Sequence, residues 1–336
     1  MQRSSQDVCP PSLIDCAMLR PMAIPVILDT DIGMDVDDVW ALAFLLRCPE
    51  LDLQLVLTEC GDTRYAAAVA AKVLLAAGRS DVPVAVGLAQ EATPQTHAAW
   101  LGDFCLEDYP GVVHEDGMAA LREILEAAEE PVTIIAIGPV PNLAALLDKD
   151  PALTAKVRLV GMLGSLRRGY LGAPKPMREY NVMKDPAAAA RVLGADWPIT
   201  ITPLDSCGDV ILDGNRFARL RAALAAEGDP LLAAVLDNHS GWFEAVRDWP
   251  LLKDLDPQLS SSILYDTVAV YLAFSHRGLL MERLPVKVDE RGRTMIDEAG
   301  VVMDCAMGWE DRESFLDLLT ERLTERLTEP SAHNSN

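Results

Sequence analysis

Residues 24–46 read Ile24-Pro25-Val26-Ile27-Leu28-Asp29-Thr30-Asp31-Ile32-Gly33-Met34-Asp35-Val36-Asp37-Asp38-Val39-Trp40-Ala41-Leu42-Ala43-Phe44-Leu45-Leu46. The run from Ile24 to Leu28 is apolar and rich in β-branched residues, which predicts a buried strand. Val39 to Leu46 is almost wholly apolar and predicts a buried helix. Between them, within ten residues, stand the five carboxylates Asp29, Asp31, Asp35, Asp37 and Asp38. Like charges at that density need a compensating cation, a set of hydrogen-bond donors or raised pKa values. Asp37 and Asp38 fall at the expected helix start, where capping and the helix dipole account for part of the cluster. Asp29 and Asp31 have no such account. The cluster offers only oxygen donors, with no nearby His or Cys to favour zinc, so a hard cation, calcium or magnesium, fits best. An EF-hand is excluded by spacing, because counting from Asp29 the glycine comes one position early and the twelfth residue is Trp40 where a bidentate Glu belongs.

Further apolar strands are predicted near 53–59, 83–87, 132–137, 157–162 and 198–203. Most are followed by a helix, the pattern of a parallel sheet with right-handed crossovers. The fold class expected is α/β, a single large domain with a mainly parallel central sheet flanked by helices. In such sheets ligands gather at the carboxyl ends of strands, where Asp29, Asp31 and Ile137 would share an edge. Gly138-Pro139 suits a strand-to-helix turn. Asp266 lies in the apolar segment Tyr265 to Phe274, where a lone acid is costly unless it is paired or bound to metal. The region 209–250 reads helical and is expected to form an appended lobe over the site.

The acidic stretch resembles the N-terminal signature of the inosine/uridine-preferring nucleoside hydrolases, an apolar strand followed by Asp-x-Asp-x-Gly-x-Asp-Asp, here lengthened by Asp35-Val36 before the Asp37-Asp38 pair. Further matches follow in the family's order: Gly78-Arg79-Ser80-Asp81-Val82-Pro83-Val84, His114-Glu115-Asp116-Gly117, Ile137-Gly138-Pro139-Val140-Pro141-Asn142, Glu179-Tyr180-Asn181 with Asp185-Pro186, and Tyr265-Asp266. The resemblance spans about residues 23 to 325. It implies an N-ribohydrolase that uses water and one calcium ion, held by Asp31, Asp38, Asp266 and the backbone carbonyl of Ile137. Ribose brings vicinal hydroxyls, hard donors able to complete an oxygen-rich calcium shell. Loss of the base develops positive charge at the anomeric carbon, which surrounding carboxylates stabilise. A divalent ion also acidifies a nearby water, so that a carboxylate can take its proton near neutral pH. Asp31 is the candidate base and Asp37 the acceptor for the 2′-hydroxyl, although these two roles are exchangeable on sequence grounds. Glu179 and Asn181, alternating along an extended stretch, would share a face and grip the 3′- and 5′-hydroxyls.

Some residues depart from the family pattern. Several relatives place a His before the distal metal Asp, where this chain has Tyr265, whose phenol is a weaker general acid than imidazole but can stack on a base or donate a hydrogen bond. Thr58-Glu59-Cys60-Gly61-Asp62 stands where Gly-Asn is common, making Asp62 a substrate candidate or a turn residue. Arg167-Arg168-Gly169-Tyr170-Leu171-Gly172 replaces another Gly-Asn. Purine or pyrimidine preference is therefore not inherited. His114, in a loop-like stretch from Tyr109, is a candidate for closing over substrate or a surface His. Trp100, Tyr109, Trp242 and Trp249 are read first as core or interface anchors.

With 336 residues, half of them hydrophobic, the chain can bury a large core, while its net charge of −22 opposes binding to nucleic acid and anionic membranes. Uncharged nucleosides meet no such repulsion. Seven cysteines without CxxC spacing argue against a disulfide framework and a structural zinc site, and predict reduced thiols in a cytoplasmic enzyme. Met1 to Ser5 opens no signal-peptide core, and no stretch is long and uncharged enough to span a membrane. Residues 1–20 are expected to be a disordered extension, with a start nearer Met18 or Met22 as an alternative. Residues 21–327 are expected to form the domain and 328–336 a polar tail, after the brief repeat of Thr320-Glu321-Arg322-Leu323 at Thr324-Glu325-Arg326-Leu327. The resemblance implies a homodimer or homotetramer. Two other readings compete. Val26 to Asp31 also resembles the strand-Asp-x-Asp signature of haloacid-dehalogenase-like magnesium phosphatases, with Asp29 as nucleophile. A calcium-dependent ribose-binding protein without turnover is the other, since fold alone does not dictate function.

Overall fold

The apolar run at 24–28 becomes β1 (Ile24–Thr30), flanked by neighbours on both sides in the middle of a ten-stranded sheet. The structure, a computed structural model, describes residues 23–325. The extensions expected at 1–20 and 328–336 lie outside the described residues. Val26 and Leu28 enter one apolar cluster and Ile27 the opposite one, so both faces of β1 are covered. That two-sided burial is why the strand reads as a continuous apolar run instead of an alternating one.

The other strands are β2 (Leu51–Thr58), β3 (Val84–Ala85), β4 (Val113–His114), β5 (Val132–Ala136), β6 (Val157–Met162), β7 (Ile199–Thr202), β8 (Leu279–Val288), β9 (Thr294–Ile296) and β10 (Val301–Trp309). Their order across the sheet is β4-β3-β2-β1-β5-β6-β7-β10-β8-β9. Pairing is parallel from β4 through to β10, whereas β8 is antiparallel to β10 and β9 to β8. From β1 the chain first builds outward through β2, β3 and β4, then returns to place β5 on the other side. The strand order thus reverses at β1/β5, leaving a crevice beyond their carboxyl ends.

The helices are α1 (Asp37–Leu46), α2 (Thr63–Ala76), α3 (Ala98–Leu101), α4 (Gly117–Ala127), α5 (Pro141–Lys149), α6 (Tyr180–Lys184), α7 (Pro186–Leu193), α8 (Leu204–Cys207), α9 (Gly214–Glu227), α10 (Pro230–Ala245), α11 (Tyr265–Leu272) and α12 (Arg312–Thr324). α1 and α11 are buried at every position and pack on each other, as their unbroken apolar sequences require. α9 and α10 account for the helical region expected at 209–250. Among the described residues no helix is long and apolar enough to cross a membrane, and Cys48, Cys60, Cys105, Cys207 and Cys305 are free thiols.

Candidate active site

β1 ends in two residues with different duties. Asp29 is fully buried within the strand, and its Oδ1 accepts a hydrogen bond from Asn142 Nδ2 at 2.8 Å. Asn142 stands in the first turn of α5; its Nδ2 also donates to the Thr58 carbonyl, and its Oδ1 accepts from Leu88 N–H at 2.9 Å. Asp29 therefore ties the ends of β1 and β2 to α5. Burial pushes its carboxyl up to about 6 and lifts the neighbouring Glu59 well above its ordinary value. A buried framework carboxyl of this kind is not the exposed nucleophile that the phosphatase reading requires of Asp29.

Asp31, two residues on, lies half-buried in the wall of a cavity of about 310 Å³. Asp35, Asp37, Asp38, Glu179 and Asp266 line the same cavity, with the Ile137 backbone just past β5. Asp37 and Asp38 are the first two residues of α1. The N-cap is Val36, which makes no side-chain cap, so neither acid is spent on capping. Asp266 is the second residue of α11, and the packing of α1 against α11 brings the two helix starts together. Asp37, Asp38 and Asp266 offer carboxylate oxygens within 4.8 Å of one another. This close group contains Asp37 where the sequence argument placed Asp31; both acids of the pair start the same helix, while Asp31 approaches from the strand end.

Electrostatics match that crowding. Burial, then the charges of Asp31 and Asp37, holds the Asp38 carboxyl well above the usual range, and Thr30 Oγ1 donates to its Oδ1 in partial compensation. Burial does the same for Asp37, and for Asp266 with the charges of Asp37, Asp38 and Asp31 added. Burial, reinforced by Asp35, Glu179 and Asp29, brings Asp31 up to about 7. Among the described residues no Lys, Arg, His or Cys lines the cavity. Buried oxygens crowded this closely, without a basic partner, suit a hard divalent cation. The turn beyond β5 is built for close approach as well. A Cβ on Gly138 would stand 2.5 Å from Glu59 Oε1 and 3.0 Å from the Asp31 backbone nitrogen, so only glycine lets these elements meet.

Glu179 and Asn181 line the cavity, but not as alternating residues of an extended stretch. Glu179 is the N-cap of α6: its Oε1 accepts from Asn181 N–H at 2.6 Å, and its Oε2 from Gly164 N–H at 2.9 Å and Val182 N–H at 3.2 Å. Burial pushes this carboxyl up to about 7 despite those donors. Asn181 is inside the helix and directs Nδ2 to the carbonyls of Ile137 (3.2 Å) and Met162 (3.0 Å). In the sequence an N-cap of this kind looks like a strand pair, since a Glu just ahead of a helix start carries both signals.

Asp62 and His114 are not among the cavity residues. Asp62 is exposed and caps α2, accepting from Tyr65 N–H at 3.1 Å, with Gln95 Nε2 on its other oxygen. His114 sits in β4, at the sheet edge three strands from β1. The stretch before it is pinned by Tyr109, whose hydroxyl donates to the Val82 carbonyl at 2.6 Å. Trp100 lies under the Lys72 ammonium, 4.4 Å away.

Aromatic groups complete the walls. Tyr265 meets Tyr170 edge-on with ring centroids 5.8 Å apart, and Tyr170 Oη accepts from Tyr180 N–H at 2.9 Å. Trp242 and Trp249, also edge-on at 5.8 Å, come from α10 and the turn after it, with Leu251 and Leu252 beside them. The lobe thus closes one side of the cavity. It also grips the acidic loop: Trp242 Nε1 donates to the Met34 carbonyl at 2.8 Å, and Thr96 Oγ1 donates to the same oxygen. His97 Nε2 lies 2.9 Å from the Asp35 carbonyl, and its Nδ1 lies 2.8 Å from Asn238 Nδ2. A carbonyl only accepts and an amide nitrogen only donates, so His97 is neutral with its proton on Nε2. Burial, which holds its pKa down to about 4, keeps it so. Asp35 stood within the acidic run without a role of its own, whereas no spacing pointed to His97 or Tyr170. A larger surface groove of about 660 Å³ around Lys184, Asp185 and Asp289 lies apart from this chemistry.

Residues 26–320 match the family described as inosine-uridine preferring nucleoside hydrolase. The chain belongs to this family. It is accordingly a hydrolase acting on N-glycosyl bonds. It is 37% identical over 209 residues to the non-specific ribonucleoside hydrolase RihC of Klebsiella pneumoniae, covering 59% of this chain and 67% of that protein. A Salmonella agona protein of the same name is 36% identical over 210 residues, covering 60% and 67%. Among solved structures, a plant nucleoside hydrolase superposes with a TM-score of 0.71 at 25% identity, covering 90% of this chain and 99% of that one. A purine-preferring ribonucleoside hydrolase from Gardnerella vaginalis shares the fold, with a TM-score of 0.73 at 23% identity and coverage of 89% and 98%.

Proposed function

We propose that this hydrolase cleaves the bond between ribose and base in ribonucleosides with the help of one calcium ion. The observation that carries the reading is the convergence of Asp31, Asp37, Asp38, Asp266 and the Ile137 backbone on one cavity at the β1/β5 reversal. Asp38, Asp266 and the Ile137 carbonyl would hold the ion, with Asp31 and Asp37 beside them. When bound, calcium supplies Lewis-acid charge that fixes a ribose diol and makes a neighbouring water more acidic.

Asp31 takes the proton from the attacking water as oxygen bonds to the anomeric carbon, and Asp37 accepts from the 2′-hydroxyl. Three backbone N–H groups hold Glu179 in one rotamer, and the spare lone pairs of its carboxylate accept from a ribose hydroxyl beside Asn181 Oδ1. Together these carboxylates stabilise the oxocarbenium character that develops as the bond to the base lengthens. The base would lie against Tyr170, Tyr265 and Trp249.

Inosine, adenosine, guanosine, uridine and cytidine, each assayed for free ribose, test the reading. We expect release from at least one, lost on chelation and in Asp38→Ala. Undiminished turnover after complete removal of metal would reject the mechanism. A binding protein without turnover would take up a nucleoside and release no ribose.

A further inference from the structure

Six carboxyl groups line the cavity, namely Asp31, Asp35, Asp37, Asp38, Glu179 and Asp266, and a single divalent cation balances the charge of only two of them when they are ionised. Among the described residues these walls hold no ammonium, guanidinium or imidazole. Asp35 lies outside the close group of Asp37, Asp38 and Asp266 and is the one of the six to which the reading above gives no role. Its Oδ1 accepts Val36 N–H at 2.7 Å, while Oδ2 has no partner among the described residues. Its backbone is held in place, because the His97–Asn238 bridge and Trp242 hold the carbonyls of Asp35 and Met34. Tyr170 and Tyr265 line the same cavity as Asp35. Aromatic faces next to a fixed, unbalanced carboxylate are the environment in which an organic cation is held best. A neutral base leaving as an anion would enter that same negative field and find no imidazole to protonate it.

We propose that the substrates this site favours are N-ribosides whose leaving heterocycle already carries positive charge, such as a pyridinium or an N-alkylated purinium, with Asp35 as the specificity-determining carboxylate. This rests on the ribohydrolase reading above. Departure then needs no acid. As the C1′–N bond breaks, its electron pair goes to the ring nitrogen and cancels the positive charge, so the base leaves neutral. The water oxygen bonds to C1′, and its proton passes to Asp31. Atoms and charge balance without a further reactant.

Two non-hydrolysable C-ribosides, 3-(β-D-ribofuranosyl)pyridine and its N-methylpyridinium salt, separate binding from intrinsic leaving-group reactivity. Calorimetry on the calcium-loaded protein should find the cation bound about tenfold more tightly than the neutral compound. Asp35→Asn should bring that ratio towards unity. Equal or weaker binding of the cation to the unmodified protein overturns the proposal without any variant having to fold. A ratio unchanged in an Asp35→Asn protein that still binds the neutral compound overturns the assignment to Asp35. Ribose release keeps the two readings apart. Turnover of neutral nucleosides with no preference for the cation sinks this inference alone, whereas no release from any riboside, charged or neutral, sinks the ribohydrolase reading.

Discussion

Asp38→Asn should make the metal-free protein more stable while it removes the response to calcium and the activity. Asn is almost isosteric, and its Oδ1 can still accept from Thr30 Oγ1, so packing and that hydrogen bond survive. What changes is charge. Asp38 has Asp37 and Asp266 within 4.8 Å, and at an effective dielectric near 20 each ionised pair at that distance repels by about 3 kcal/mol. Partial protonation of the crowded acids caps the total, leaving a gain of about 2–4 kcal/mol, or roughly 3–6 °C in melting temperature. For the unmodified protein, calcium at a hundred times its Kd should add about 2.7 kcal/mol. Thermal melts of both proteins in EDTA and in calcium, with ribose release measured in parallel, give the four values needed. The expected pattern is a variant melting above the parent in EDTA, unmoved by calcium and inactive. A variant that melts lower in EDTA yet still rises with calcium would refute the claim that these acids form a repulsive, cation-requiring cluster.

Other consequences follow from the same geometry. In EDTA, burial lifts Asp31 to about 7 and Asp35 to about 6 from 3.8, so the folded state keeps protons that the unfolded chain releases. Stability is then greatest near pH 4 and falls as pH rises through 6 to 7; urea midpoints at pH 5 and pH 8 should show the fall, and calcium should flatten it. Asp31→Asn should lower kcat by about 10²–10⁴ if Asp31 is the base, with nucleoside binding by calorimetry largely retained. Loss confined to KM would move the proton-accepting role to Asp37. His97→Ala strips the Asp35 carbonyl and Asn238 of a buried partner and should cost about 2–4 kcal/mol in denaturant melts; an unchanged midpoint would mean that water replaces the bridge.

The parallel half of the fold was legible because its strands are buried on both faces and announce themselves as apolar runs. β1, β2, β5, β6 and β7 were visible on that basis, and the 83–87 run survives as the two-residue β3. β8 to β10 escaped for the opposite reason. In β8, Leu-Leu-Met-Glu-Arg-Leu-Pro-Val-Lys-Val mixes apolar and charged residues, and only Leu279 and Val286 are buried, so no continuous run marks it. β4 is two residues long, held by register with β3 and not by any propensity of its own. Within the site, the acids were visible because charge between two buried elements demands a reason. What no pattern could supply was which acids meet, since that depends on the contact of α1 with α11, more than two hundred residues apart in the chain. Asp62 and Glu179 show the converse: a carboxylate at a helix start looks the same on the page whether it faces a substrate, a cap or both.

The two-residue expansion of the acidic signature and the helical lobe belong together. Extra backbone between Gly33 and Asp37 brings carbonyls into the interior, and buried carbonyls must find donors. Those of Met34 and Asp35 find them in Trp242, Thr96 and His97, and His97 in turn leans on Asn238. Trp242 and Asn238 sit one turn apart on the same helix, α10, so a single rigid element both satisfies the inserted loop and supplies an aromatic wall to the cavity. A movement of α10 would disturb Asp35, because among the described residues the donors that hold these two carbonyls are Trp242 of the helix, His97 bonded to its Asn238, and Thr96 next to that histidine. The lobe is therefore a determinant of where the sixth carboxylate stands, and through it of which leaving group the cavity accepts.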